Sequence, residues 1–382
     1  MSLSGHTEYD VVVVGSGPAG ISTAIHLTKF MPSIQNRMIV LEKASHPRKK
    51  LCGGGIGTYA DDWLKRLDIK MSITSLELNR MRIIVDQDKH REYAVVQNGG
   101  LRTVVREEFD EALVQEATTM GINVAENEPV VSFSHKNDAI AVQTTKRNLT
   151  TQVLVGADGA KSIVRRELCE GMGKVGGPKT ACRTVRLLER VDESNSPEHG
   201  HLEAVIDLAS TFQRGIRGYV WSFPLISQGQ TWLNAGVGEF SISKDSERSL
   251  RQTLLEFLAA RGVSVEKSRL EAHPIRWFHP EAVLSANRVL LVGDAGGIDP
   301  LWGEGISFSL GYGHVAAVCI SRALDSRDFS FSSYREELLE HEVGQELMRR
   351  LELADKLYRS ERIDNLRDHL LSVILYGQSY TG

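Results

Sequence analysis

Hydrophobic residues near the start of the chain form a short run that ends at a glycine-rich turn. Asp10–Val14 contains four consecutive valines, a pattern typical of a buried strand. Residues 15–20 read Gly-Ser-Gly-Pro-Ala-Gly, and the apolar segment Ile21–Phe30 predicts a helix that begins near Pro18. A second apolar run, Met38–Leu41, predicts another strand. This order of strand, turn, helix and strand is typical of a parallel α/β unit.

Alternating apolar and polar residues predict two groups of strands further along the chain. Residues 80–97 predict two strands, and residues 122–156 predict a three-stranded antiparallel meander laid against the parallel sheet. Four alternating runs within residues 178–275 predict a second, mostly antiparallel sheet. The strand at Arg288–Val292 and the helical segment Ile306–Leu324 then return the chain to the first unit. Apolar residues at helical spacing predict further helices at Tyr59–Leu67, from Arg106 to Gly121, at Ser162–Leu168 and at Glu247–Arg261.

These elements predict an α/β protein with a discontinuous Rossmann-like domain. We expect that domain to comprise residues 1–75, 98–177 and 276–325, with a mostly antiparallel sheet domain of residues 76–97 and 178–275 inserted in it. Residues 326–382 are expected to form C-terminal helices.

The turn at residues 15–20 has the G-x-G-x-x-G spacing of a dinucleotide-binding site. Gly15 allows the tight turn, Gly17 lets the backbone approach a pyrophosphate, and Gly20 lets helix and strand pack closely. The helix that follows presents unpaired N–H groups and the positive end of its dipole to the phosphates. Glu42 ends the next predicted strand, where an acid can bind a ribose hydroxyl. The sequence therefore predicts a bound dinucleotide.

Composition and charge exclude several classes of protein. The chain has 382 residues, of which 41% are hydrophobic and 25% charged, and its formal net charge of −4 argues against nucleic-acid binding. No apolar run is long enough to span a bilayer, and we expect no signal peptide. The four cysteines form no C-x-x-C pair, so we expect no zinc or iron–sulfur site, no other bound metal, and a reduced, cytoplasmic setting. Nothing in the pattern indicates an oligomeric state.

Two later motifs agree with the first glycine-rich turn. Gly-Ala-Asp-Gly occupies residues 156–159, and Gly-Asp-Ala at 293–295 is followed by Gly-Glu-Gly-Ile at 303–306. A helix that begins near Gly303 would aim its N–H groups at the edge of a ligand and stabilise negative charge there. The set resembles the fingerprints of the para-hydroxybenzoate hydroxylase fold, a flavoprotein fold. That resemblance implies FAD, and no histidine or cysteine lies in a recognised flavin-attachment motif, so we expect it to be held non-covalently.

The resemblance also implies roles for individual residues. The turn glycines would hold the FAD pyrophosphate, Glu42 the adenosine ribose, Arg106 the phosphates and Asp294 the ribityl hydroxyls, with Asp158 beside the pyrophosphate and the nicotinamide path. The complete set of implied cofactor-binding residues is Gly15, Gly17, Pro18, Ala19, Gly20, Glu42, Lys43, Cys52, Gly53, Arg106, Val130, Asp158, Gly293, Asp294, Pro300, Gly303, Gly305 and Ile306.

Two further stretches resemble the geranylgeranyl reductase family. Leu51–Gly55 is similar to the Cys-Gly-Gly loop of that family, and residues 219–224 match its Y-x-W-x-F-P motif. Gly236-Val237-Gly238 matches its later G-x-G, although residues 225–235 make the intervening segment longer than is usual there. The resemblance covers about residues 8–325.

That family transfers hydride from reduced FAD to isolated isoprenoid double bonds, so the resemblance implies an apolar, isoprenoid-type substrate. Tyr219, Trp221, Phe223 and Pro224 are the expected substrate-binding residues; alternating strand positions 219, 221 and 223 share one face, although ordinary core packing would use the same residues. Cys52 is the candidate proton donor, or else only shapes the pocket. The electron donor would be NADPH or a reduced carrier protein.

Other interpretations remain open at this stage. A flavin monooxygenase or halogenase would share the fold, a prenyl-binding carrier would use a related fold without catalysis, and a quinone-linked dehydrogenase is a third possibility. Lys49 and Lys50 could meet a substrate phosphate or only face solvent, and His26 is expected to be packed in the core. We expect peripheral contact with a membrane at most, with Leu370–Tyr376 as one contact point.

Overall fold

The computed structural model describes residues 7–86, 91–173, 180–190, 203–241, 250–263 and 270–358. The helices and strands in chain order are β1 (Thr7–Val14), α1 (Pro18–Phe30), β2 (Met38–Leu41), β3 (Gly55–Gly57), α2 (Thr58–Arg66), β4 (Ser75–Asp86), β5 (Arg91–Val104), α3 (Arg106–Thr119), β6 (Asn123–Ala125), β7 (Val130–Lys136), β8 (Ala139–Thr144), β9 (Asn148–Gly156), α4 (Ile163–Gly171), β10 (Ala181–Arg190), β11 (Ala204–Asp207), α5 (Ala209–Phe212), β12 (Arg217–Ser227), β13 (Gln230–Ser241), α6 (Leu250–Ala259), β14 (Glu271–Arg276), β15 (Ser285–Ala286), β16 (Val289–Leu291), α7 (Ile306–Ser326), α8 (Tyr334–Glu340) and α9 (Glu342–Tyr358).

The first sheet has the strand order β15-β16-β9-β1-β2-β6, and β16, β9, β1, β2 and β6 run parallel. The predicted three-stranded antiparallel meander is present as β7, β8 and β9, and it joins this sheet through β9. Residues 148–151 of β9 pair with β8, while residues 149–156 pair with β1. Strand β9 is long enough to belong both to the meander and to the parallel sheet.

The second sheet has the strand order β14-β10-β13-β12-β11-β4-β5-β3. Six of its seven pairs are antiparallel and the pair of β4 with β11 is parallel, so the sheet is mixed rather than purely antiparallel. The parallel pair arises because the chain passes through the first sheet between β4 and β11 and returns in the same direction. The division of the chain into residue ranges for each domain stays a prediction.

Helix α7 packs very closely on its neighbours through two glycines in its interior. A Cβ atom at Gly313 would overlap Ser22 of α1, and one at Gly311 would overlap Val343 of α9 and lie 2.9 Å from the Trp63 ring of α2. These two glycines therefore let α7 approach α1, α2 and α9 closely, and α1 and α7 form one buried layer against the first sheet.

The two faces of the second sheet differ. One face packs apolar residues such as Val185 against Leu254 and Phe257 of α6. The other face carries an aromatic cluster that includes Tyr219, Phe240 and, from the end of α9, Tyr358. Within the part of the chain that the structure describes, no helix is both long and apolar enough to cross a bilayer. The predicted contact segment at residues 370–376 lies outside the described residues.

Candidate functional site

The predicted glycine-rich turn, residues 15–20, forms a cradle at the start of α1 in which Gly15 and Gly20 have no room for a side chain. Gly15 has φ +104°, and a Cβ atom there would overlap the Ala157 carbonyl oxygen. A Cβ atom at Gly20 would overlap the Gly15 carbonyl oxygen, so strand and helix pack as the spacing predicts. Gly293 lies on the same cradle, because its Cβ position is 2.7 Å from the Cβ of Ala19. The Gly15–Gly20 turn and the Gly-Asp-Ala motif at residues 293–295 therefore meet at the start of α1.

No side chain caps the start of α1, where Gly17 is the N-cap and Pro18 is the first helical residue. Glu42 lies at this point, 4% exposed, and accepts hydrogen bonds from the Ser16 hydroxyl at 2.8 Å and the Ser16 N–H at 3.2 Å. Burial opposes ionisation of Glu42, but the Arg48 guanidinium and the Ser16 bonds hold its pKa below its ordinary value. The carboxylate is thus ionised beside unpaired helical N–H groups, as the binding of a ribose hydroxyl requires.

A chain of ion pairs leads from Glu42 to Cys52. Arg48 contacts Glu42 at 3.3 Å and Asp110 at 3.2 Å, and Asp110 in turn accepts three hydrogen bonds from Arg106, at 2.8, 3.0 and 3.2 Å. Arg106 is buried at the first turn of α3, and the Cys52 thiol is one of the groups that interact with its guanidinium. The structure therefore brings Glu42, Arg106 and Cys52 into one cluster, as predicted for one site.

The Cys52–Gly53 segment is held by Asn234, on β13 of the second sheet. The Asn234 amide donates to the Cys52 carbonyl at 2.8 Å and to the Gly53 carbonyl at 3.0 Å. Its Oδ1 accepts from Arg186 Nε at 3.2 Å and from Trp221 Nε1 at 3.4 Å. Asn234 is 1% exposed, so its hydrogen bonds to the segment are shielded from water.

The predicted substrate-binding residues divide into three groups. Trp221 and Phe223 lie against the glycine-rich segment, since the Cβ position of Gly53 is 3.4 and 3.5 Å from their rings. Tyr219 shares their face but is buried in the aromatic cluster, where its ring stacks on Phe240 at 5.4 Å and its hydroxyl donates to the Trp302 carbonyl. Pro224 lies on the opposite face of β12, and its carbonyl accepts from the Thr103 hydroxyl at 2.6 Å.

The loop before α7 is fixed by a buried acid. Asp299 is fully buried and accepts from the Leu301 N–H at 2.8 Å and from Arg350 of α9 at 2.6 Å. Burial raises the pKa of Asp299 although Arg350 acts against that shift. The loop ends at Gly305, the N-cap of α7, which has no side-chain cap, and Asp294 Oδ1 is 3.5 Å from its Cβ position. Asp294 thus lies beside unpaired helical N–H groups at this second helix start.

Asp158 and its neighbours carry unpaired buried polar atoms. Asp158 Oδ2 caps α4 by accepting from the Ile163 N–H at 2.7 Å, while its Oδ1 has no hydrogen-bond partner among the described residues. Arg165 Nε and Arg276 Nε are likewise buried without described partners. Burial and the charge of Arg165 lower the pKa of Arg276 to about 10.

The remaining predicted residues have less specific positions. Lys43 is exposed, Pro300 is buried, and Val130 begins β7 near Glu128, whose N–H donates to the Glu42 carbonyl at 2.8 Å. Lys49 is largely exposed and forms an ion pair with Glu271, and His26 packs against Trp63 and His314, as expected for a core residue.

The residues present fit FAD. The starts of α1 and α7 lack side-chain caps, Gly15 and Gly20 leave no room for a Cβ atom, and Asp158 Oδ1 is buried without a described partner. Gly17 and the α1 start would hold the pyrophosphate, Glu42 the adenosine ribose and Asp294 the ribityl chain.

Sequence reasoning did not identify five residues that belong to the site or support it: Arg48, Asn234, Arg186, Asp299 and Arg350. Arg48 could have been found in the basic turn before Cys52, and Asn234 just before the Gly236–Gly238 motif. Asp299 and Arg350 carry no local signal, because their pairing depends on a contact across 51 positions of the chain.

Comparison with known proteins agrees with this geometry. A family model described as "FAD binding domain" matches residues 8–311. An uncharacterized protein of Methanosarcina barkeri is 26% identical over 91% of this chain and 82% of its own length. A menaquinone reductase of Mycobacterium tuberculosis is 26% identical over 84% of this chain and 78% of its own. A digeranylgeranylglycerophospholipid reductase of Picrophilus torridus is 26% identical over 84% and 80%.

Solved structures share the fold. A geranylgeranyl bacteriochlorophyll reductase-like protein from Thermoplasma acidophilum superposes with a TM-score of 0.74 at 21% identity, covering 97% of this chain and 92% of its own. The halogenase PltM, solved with phloroglucinol and FAD, gives a TM-score of 0.67 at 16% identity over 91% and 76%. The family match, the cradle and these relatives agree, and the chain belongs to the FAD binding domain family, as a geranylgeranyl reductase-like, FAD-dependent oxidoreductase.

Proposed function

We propose that this enzyme reduces carbon–carbon double bonds of an isoprenoid chain. The observation that carries the proposal is the Cys52–Gly53 segment, which Asn234 holds against Trp221 on the aromatic face of the second sheet. The Cys52 thiol is thereby held between the cluster that contains Glu42 and Arg106 and the aromatic face of the second sheet, which suits an apolar chain. The digeranylgeranylglycerophospholipid reductase relative supports the same substrate class.

The reaction needs a hydride for one alkene carbon and a proton for the other. FAD, when bound and reduced, supplies the hydride and is oxidised as the alkene is reduced. The chain's own contribution is to orient the alkene on Trp221 and to deliver a proton from Cys52 Sγ, which regains one from solvent. A positioned acid of this kind typically contributes about 10²–10⁴-fold to the rate.

The test uses the FAD-loaded protein, reduced without oxygen and mixed with geranylgeranyl diphosphate. Flavin reoxidation together with a product heavier by one hydride and one proton supports the proposal. Reoxidation only by oxygen, with a hydroxylated or halogenated product, would instead favour the monooxygenase or halogenase chemistry of the same fold. Protein that takes up no FAD and binds prenyl compounds unchanged would favour the carrier.

We further propose NADPH as the electron donor. Arg165 and Arg276 are close enough for their charges to interact, and each has a buried Nε without a partner among the described residues, an arrangement that suits the phosphates of a nicotinamide dinucleotide. Arg165→Gln should raise KM for NADPH about tenfold or more, whereas the same change at its exposed neighbour Arg166 should not. An unchanged KM in Arg165→Gln would favour a reduced carrier protein.

A further inference from the structure

A buried guanidinium lies beside the Cys52–Gly53 segment and has no acidic partner among the described residues. Arg186 is 7% exposed, and its Nε donates to Asn234 Oδ1 at 3.2 Å. Glu271 lies directly across from it on β14, but the Glu271 carboxylate forms an ion pair with Lys49. Among the residues that the structure describes, no carboxylate forms an ion pair with Arg186. Burying a charge without an ion-pair partner costs free energy, unless a ligand of opposite charge pairs with it.

The position of Arg186 relates it to the predicted substrate surface. Gly236 lies directly between Arg186 and Trp221 across the three strands β10, β13 and β12, so all three residues share one face. The Trp221 ring covers Gly236, where a Cβ atom would overlap it. Asn234 accepts hydrogen bonds from both Arg186 and Trp221. A cation and an aromatic ring are thus fixed next to each other by one amide.

Arg186 differs from the neighbouring Arg106 in its partners. Burial lowers the pKa of Arg186, and the smaller effect of Arg106 acts in the same direction, whereas Cys52, Glu107 and Glu271 act in the opposite sense. Arg106 is already paired with Asp110, while Arg186 has no such pair within the part of the chain that the structure describes. An arginine side chain presents a planar fork of donors that matches phosphate oxygens, which Lys or a lone amide does not.

We propose that Arg186, fixed by Asn234, binds a phosphate or diphosphate group of the substrate, whose apolar chain extends beside Trp221. The identity of that chain rests on the proposed function, but the anion site does not. A nicotinamide donor carries the same chemical group, so the experiment must separate the two sources.

The first experiment measures inorganic pyrophosphate binding to the FAD-loaded protein by calorimetry, so that the Gly15 cradle is already filled. Arg186→Gln should weaken binding about tenfold or more, whereas Arg190→Gln, at the exposed end of the same strand, should leave it unchanged. Equal affinity in wild type and Arg186→Gln overturns the proposal.

A second measurement needs only the wild-type protein and so stands even where Arg186→Gln fails to fold. Pyrophosphate bound at Arg186 should slow alkylation of Cys52 by iodoacetamide about fivefold or more, measured peptide by peptide. Cys169, on α4 near Arg165 and Arg276, is alkylated in the same experiment and reports separately on pyrophosphate bound at that pair. Unchanged alkylation of Cys52 at saturating pyrophosphate overturns the proposal.

Half-reactions then identify the source of the phosphate. Arg186→Gln should slow reoxidation of reduced flavin by geranylgeranyl diphosphate but not by geranylgeraniol, and should leave KM for NADPH unchanged. A raised KM for NADPH with unchanged reoxidation would assign the site to the donor and overturn the substrate assignment. If neither geranylgeranyl diphosphate nor geranylgeraniol reoxidises the reduced flavin of the wild-type protein, the proposed function is refuted. The pyrophosphate measurements would still decide the anion site.

Discussion

The side-chain amide of Asn234 donates to the Cys52 carbonyl oxygen at 2.8 Å, and this bond joins the second sheet to the Cys52–Gly53 segment. A second bond to the Gly53 carbonyl makes the contact bidentate. The two residues are separated by 182 positions in the chain, so the geometry of the segment depends on the packing of one domain on the other.

We expect Asn234→Ala to lower the free energy of unfolding by about 2–3 kcal/mol, because it leaves two carbonyl oxygens and Arg186 Nε without their partner. Urea unfolding of the FAD-free protein measures this effect. Asn36→Ala, at an exposed asparagine, is the control and should change stability by less than about 0.5 kcal/mol. Equal stability of the two variants would show that the Asn234 bonds contribute nothing.

Asp294→Ala should weaken FAD binding roughly 10–150-fold, because it removes a charged acceptor worth about 1.5–3 kcal/mol. Asp294 is half-buried beside the start of α7. Fluorescence titration of the apoprotein with FAD gives the affinity, and Asp325→Ala, near the exposed end of α7, serves as the control. Wild-type affinity in Asp294→Ala would rule out the assigned role.

The glycine-rich turn at residues 15–20 could be predicted from sequence because it depends on local backbone geometry. Gly15 and Gly20 follow a strand and open a helix within a few residues, so spacing alone fixes their arrangement. Trp221 could be assigned to the aromatic face because strand alternation fixes the direction of its side chain.

What sequence could not supply are contacts between distant elements. Tyr219 alternates with Trp221, yet it is packed against Phe240 because α9 and the Trp302 loop cover that end of the sheet. Arg350 reaches Asp299 from a helix whose sequence matched no motif. The parallel pairing of β4 and β11 likewise depends on the path of the whole chain.

We expect stability to fall as the pH is lowered below about 6.5, because a buried histidine must stay neutral in the folded state. Burial, and then the neighbouring His314, lower the pKa of His26 from 6.5 to about 3. Between these values the unfolded chain binds the proton and the folded chain does not, so stability is lost as the pH falls. From pH 7.5 to 5.5 this one group accounts for about 1.4 kcal/mol.

Urea unfolding at both pH values checks this expectation. His26→Phe keeps the ring packing against Trp63 and should reduce the loss by about that amount, whereas His135→Gln, at an exposed histidine, should not. An identical pH dependence in His26→Phe and wild type would show that His26 titrates normally.

Cys52→Ser tests the chemical role of the thiol most directly. The Cys52 side chain lies beside Arg106, and its sulfur accepts from the Gly54 N–H at 3.4 Å, so serine can occupy the same space while holding its proton far more tightly. We expect normal FAD content and near-normal flavin reduction by the donor, but alkene reduction slowed tenfold or more, because a weaker acid delivers the proton. Stopped-flow measurement of the two half-reactions separates these steps, and Cys169→Ser on α4 is the matched control. If Cys52→Ser is reoxidised by prenyl substrate at the wild-type rate, the thiol has no chemical role. The segment would then act only through the glycines that let it lie against Trp221 and Phe223.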